Sequence, residues 1–158
     1  MDIKFPYTIR VKLPSDLEVI PPIRKFISEI LLVSGFSAKF AFRSEIIVDA
    51  ICNNAITHGS GCDAENEIEV SCEVHSDRFE VVVKDRGGSA SNIERLKEAV
   101  RAGKKGGKGG ALAEDYDTSG MGLEIVKLLS ETIELSVDEN NLTSIHVVRK
   151  REDVSPSP

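Results

Sequence analysis

No apolar run in this chain of 158 residues reaches the ~20 residues that a membrane-spanning helix needs. The N-terminus, Met1-Asp2-Ile3-Lys4-Phe5-Pro6, lacks the basic segment and apolar core of a signal peptide. A cytoplasmic location without membrane association is therefore expected. No CxxC or His pairing accompanies the cysteines. Cys52, Cys62 and Cys72 fall in a helical pattern, a Gly-rich turn and a strand, and read as reduced thiols rather than as a metal set. Positive charge is also short. Twenty basic residues stand against 26 acidic ones, a net charge of −6, which argues against direct nucleic-acid binding. There is no internal repeat. What is present is ordinary for one soluble domain: 41% hydrophobic and 29% charged residues.

The chain alternates between two periodicities. Ile9, Val11 and Leu13 oppose Thr8, Arg10 and Lys12, which predicts a strand with one wet face over residues 7–13. Ser15 or Asp16 can cap the next helix, in which Ile23, Phe26, Ile27, Ile30 and Leu31 recur at helical spacing until Gly35. A second helix is predicted from about Ser37 to His58, stopping at Gly59-Ser60-Gly61. Ile68, Val70, Cys72 and Val74, then Phe79, Val81, Val83 and Asp85, alternate with polar residues around a His75-Ser76-Asp77 turn, an antiparallel hairpin. Residues 93–101 read as a short helix. The stretch 103–110 holds five glycines and three lysines, and residues 88–119 read as a mobile lid or binding loop. A helix from Gly122 to about Ser130, a strand with Ile133, Leu135 and Val137, and a last strand at about Thr143–Lys150 complete the pattern. The domain is expected over 1–150 and a disordered tail over 151–158. Strands with one apolar face predict an α/β fold in two layers: a mostly antiparallel mixed sheet covered by helices on one face.

Three features carry chemistry. Asp85 shares the buried strand face of Phe79, Val81 and Val83, where a carboxylate costs several kcal/mol unless something meets it. It reads either as a ligand or as the cap of a turn. Ser119-Gly120-Met121-Gly122-Leu123 precedes an apolar helix, and exposed N–H groups at a helix start suit phosphates. A plain helix start is the other reading. On the helix ending at His58, ~100° per residue sets Asn54 about 60° from Ile51, at the edge of the buried stripe. Asn53 and Asp49 fall about 160° away, on the outer face. An Asn at a core edge is a structural hydrogen-bonder or an oxygen ligand for Mg2+.

Together, in this order and spacing, these features resemble the GHKL (Bergerat-fold) ATPases, and among them the anti-sigma-factor serine/threonine kinases of bacteria. The resemblance spans roughly residues 7–150. It rests on an N box, Asn54-Ala55-Ile56-Thr57-His58-Gly59, a G1 box, Val81-Val82-Val83-Lys84-Asp85-Arg86-Gly87-Gly88, and a G2 box, Ser119-Gly120-Met121-Gly122-Leu123-Glu124-Ile125-Val126. It implies that ATP and Mg2+ are the cofactors. Asn54 would coordinate the metal, with His58 beside it. Asp85 would accept from the adenine amino group, and Gly87 would leave room for the ring. Ser119, Gly120, Met121, Gly122 and Leu123 would line the phosphates. Lys104, Lys105 or Lys108 would approach the γ-phosphate, or simply keep the loop soluble.

One position departs from the family pattern. The residue four before the metal-binding Asn is usually a Glu, one turn away, able to act as general base. Here it is Ala50. Asp49 keeps the acid-to-Asn spacing only if Asn53 is the ligand, which rotates the helix by ~100°. Ser89 stands where a third Gly is common. Two readings follow: a kinase acting on a STAS-type anti-anti-sigma protein while sequestering a sigma factor, or a nucleotide-dependent binding module without transfer. A histidine-kinase catalytic domain ranks behind both, because no phosphoacceptor helix is in sight. A homodimer is left open.

Overall fold

The computed structural model describes residues 3–60, 67–86, 118–137 and 142–151. Gly87, the lid with its 93–101 helix and Lys104, Lys105 and Lys108, and the tail beyond residue 151 lie outside the described residues. So do the side chains of His58 and of Ser119, Gly120, Met121 and Gly122.

Strand β1 spans Tyr7–Pro14, β2 Glu67–Val74, β3 Arg78–Arg86, β4 Thr132–Val137 and β5 Leu142–Lys150. They form one sheet in the order β1-β2-β3-β5-β4, and every described pair is antiparallel. The expected two-layer α/β fold is present. Its register sets the apolar positions in rows across the sheet. One row runs Val11, Val70, Val83, Ile145 and Leu135, and the next runs Leu13, Ile68, Asp85, Thr143 and Val137. The face carrying these rows is buried, while the other carries Glu, Lys, Arg, Ser and His at the edge of solvent. Period-two alternation thus decides which side the helices cover.

Helix α1 spans Ile20–Val33, α2 Ala38–Asn54 and α3 Thr118–Leu129. Helix α1 begins three residues earlier than the apolar period suggests. Pro21 and Pro22 sit in its opening turn, where a missing N–H costs nothing. Asp16 accepts from Glu18 N at 2.9 Å and caps a short 3-10 turn, Leu17–Val19, ahead of the helix. Ser37 caps α2 by accepting from Phe40 N at 3.0 Å. Helix α2 packs between α1 and α3 and buries Phe40, Ile47, Val48 and Ile51. Cys52 and Cys72 are free thiols inside this core, and burial pushes the Cys72 thiol up to about 12, so neither is available as a thiolate.

Arg149 on β5 is 1% exposed, yet it is well satisfied. Its Nε donates to Leu129 O at 2.8 Å, the end of α3, and its Nη1 to Phe40 O at 2.9 Å and Ser44 Oγ at 3.0 Å on α2. The guanidinium lies 4.0 Å over the Phe40 ring. A cation at the carbonyl end of a helix also meets a favourable dipole. No described helix is long and apolar enough to cross a membrane.

Candidate functional site

Helix α2 delivers Asn54 as its last residue, 1% exposed. Its Nδ2 donates to Ala50 O, one turn back, at 2.9 Å. That bond fixes the amide and leaves Oδ1 buried with no partner among the described residues. Directly after Asn54 the backbone widens into a π-helical turn, Ala55–Ser60, rather than running on as an α-helix to His58. This turn packs on β3 and β2. Such widenings occur mostly as single turns and are frequent at functional sites.

Asp85 reaches the same region from the end of β3 and is 2% exposed. Its Oδ1 is buried without a partner among the described residues, and burial pushes its pKa up to about 7. Directly across on β5 stands Thr143, equally buried, with an unpartnered Oγ1. The sequence reading did not single out Thr143. Its signal was there: it shares the strand phase of Ile145 and Val147, so alternation sends a hydroxyl to the buried face.

A buried polar atom left unsatisfied costs roughly 1–3 kcal/mol, and native folds carry few of them. Here three such oxygens belong to the end of α2 and the adjoining ends of β3 and β5. Each is an oxygen free to accept a hydrogen bond or meet a ligand: two are neutral, and the third belongs to a carboxyl whose pKa burial pushes up to about 7. Leu123, from the glycine-flanked segment, is buried at 1% exposure. That segment is not the loop before a helix that the sequence suggests. Helix α3 starts at Thr118, so Ser119-Gly120-Met121-Gly122-Leu123 forms its opening turns. Glycine is a poor helix former, but a first turn holds few intrahelical bonds for it to weaken.

The second candidate register fares differently. Asp49 lies 2.6 Å from Arg24 Nη1 on α1, and Asn53 Oδ1 accepts from Thr57 at 3.1 Å. Both outer-face groups are thereby engaged away from the buried oxygens. Ala50 places no side-chain base in the turn before Asn54.

The family described as the histidine kinase-like ATPase domain matches residues 13–147 of the chain. The chain is similar to the serine-protein kinase RsbW of Bacillus licheniformis, with 26% identity over 92% of this chain and 88% of that protein. It is similar to RsbW of Listeria innocua, with 28% identity over 83% of this chain and 80% of that protein. The anti-sigma F factor of Clostridium perfringens is 24% identical over 65% of this chain and 67% of that protein. The match includes Asn54, Asp85 and Thr143, and the chain belongs to the histidine kinase-like ATPase family, the GHKL group its three boxes resemble.

Proposed function

We propose that this chain is an ATP- and Mg2+-binding regulator that controls a protein partner, as its anti-sigma relatives do by name. The observation that carries this reading is the trio of buried, unpartnered oxygens on Asn54, Asp85 and Thr143. Each fits a group of the nucleotide complex. The Asn54 amide oxygen, held by the Ala50 carbonyl, fits a hard cation such as Mg2+, which when bound neutralises phosphate charge. The Asp85 carboxylate fits the donating amino edge of adenine, with Thr143 beside it. Gly87 leaves room for the ring, and the opening turns of α3, Ser119 to Leu123, offer N–H groups to the phosphates. His58 follows Asn54 in the turn that packs on β3. The partner is a sigma factor, a STAS-type anti-anti-sigma protein, or both.

A second reading concerns what the bound ATP does. Ala50 supplies no proton acceptor, and Asp49 is engaged by Arg24. These favour a module whose nucleotide occupancy sets partner affinity, with slow phosphoryl transfer or none. A general base contributes ~10²–10⁴-fold, so its loss slows chemistry while leaving binding intact.

Calorimetric titration with ATP and Mg2+ tests the shared premise. Binding is expected, and Asn54→Ala should abolish its Mg2+ dependence. No heat at millimolar nucleotide would overturn the reading. Pull-down from the source cell with and without ATP then tests the partner.

A further inference from the structure

The sheet face turned away from the helices carries a cluster that the nucleotide reading does not use. Glu73 on β2 and Glu80 on β3 are direct cross-strand partners. Like charges placed opposite one another on a sheet repel. His75, just past the end of β2, aims a single atom at both: its Nε2 lies 2.6 Å from Glu73 Oε1 and 3.6 Å from Glu80 Oε2. One ligand atom from each of the three lies within 4.8 Å of the others. His146, on β5, stands 3.0 Å from the other oxygen of Glu80 and holds that carboxylate in orientation. Arg78 donates to Glu80 Oε2 at 2.7 Å, and a carboxylate oxygen has lone pairs for a second partner.

We infer that Glu73, His75 and Glu80 form a binding site for a zinc-class divalent transition-metal ion. Imidazole nitrogen with two carboxylates is a ligand set that such ions take with three protein ligands and an open fourth position. Mg2+ and Ca2+ prefer all-oxygen shells, so the histidine selects against them. The ordering of Glu80 by His146 is the kind of outer support that metal-binding carboxylates receive. A bound dication also removes the Glu73–Glu80 repulsion, fastening the turn between β2 and β3 to the sheet. The site lies on the sheet face opposite Asn54, Asp85 and Thr143, so it stands or falls independently of ATP binding.

The test is calorimetric titration of the untagged, chelator-stripped, nucleotide-free protein with zinc chloride. A Cys62→Ser background leaves only the buried thiols of Cys52 and Cys72. One ion per chain is expected, with micromolar affinity. His75→Gln and Glu80→Gln should each weaken binding at least tenfold, and His146→Gln by less. Magnesium chloride should give no heat in the same cell. Because Glu80→Gln also loses contacts to Arg78 and His146, imidazole NMR of the unmutated side chains provides a second measurement. Zinc should shift His75 first and leave His58 unmoved. Absence of binding at millimolar zinc, equal affinity in His75→Gln, or a shift at His58 alone would overturn the proposal.

Discussion

The Asn54 amide donates to the backbone carbonyl of Ala50 at 2.9 Å, so the orientation of the buried Asn54 oxygen depends on the main chain at position 50 and not on its side chain. A glutamate can therefore be placed there without disturbing the amide. Ala50 is half-buried beside the core, one helical turn before Asn54. Ala50→Glu is expected to leave ATP affinity within a few-fold and to raise phosphate release or transfer by ~10²-fold or more. Steady-state phosphate assays check it. Turnover unchanged by the glutamate would remove the missing base as the reason for slow chemistry.

Asp85 should make stability and nucleotide binding respond to pH in opposite senses. Its folded pKa of about 7 stands above the ordinary 3.8. Below about pH 4 both folded and unfolded chains are protonated there, and burial costs nothing extra. As pH rises from about 4 to about 7, the unfolded chain loses the proton that the folded chain retains, so folding weakens across that window. Asp85→Asn should therefore be nearly neutral at pH 4 and stabilising at pH 8, as followed by thermal melts without nucleotide. In the proposed role, Asp85 meets ATP as the carboxylate. Its affinity should fall by up to tenfold per unit below pH 7, and Asp85→Asn should weaken it at every pH.

Thr143→Val should separate folding from binding. The Oγ1 hydroxyl is buried without a partner among the described residues, so replacing it by a methyl removes an unsatisfied group of nearly the same shape. The nucleotide-free melting temperature should rise, by an amount matching about 1 kcal/mol. ATP affinity should fall, because the site loses an acceptor. A variant weaker in both would mark Thr143 as structural only.

Arg149→Met should be costly. It keeps much of the volume but leaves Leu129 O, Phe40 O and Ser44 without their buried donor. A loss of about 3 kcal/mol is expected in denaturant unfolding. Lys at this position should recover only part of it, since one ammonium cannot reproduce the planar fork that reaches two helices.

The strands and their wet faces could be read from the sequence because each element repeats one simple rule. In β2, for example, Ile68, Val70, Cys72 and Val74 alternate with Glu67, Glu69, Ser71 and Glu73, and burial follows that alternation residue by residue. The placement of Asp85 on the buried face came from the same rule. What could not be read depends on contacts distant in sequence. The insertion of β5 between β3 and β4 is set by packing across the sheet, not by local pattern. Arg149 is legible as buried only once its phase with Ile145 and Val147 is weighed above its charge. The start of α3 is hidden in the sequence because Gly120 and Gly122 look like punctuation, while the helix begins at Thr118. The widening after Asn54 leaves no mark in composition, since Ala55, Ile56 and Thr57 suit either helical form.

The Arg149 anchorage also constrains how the walls of the proposed nucleotide pocket are able to move. Helix α2 runs toward the pocket and ends there with Asn54, while α3 starts there and runs away. Arg149 grips Phe40 near the beginning of α2 and Leu129 at the finish of α3, the two extremities remote from the pocket. The pair is thus clamped like tongs at the rivet. Closure on the proposed nucleotide would then be a swing of the free tips, since the clamp opposes sliding of one helix along the other.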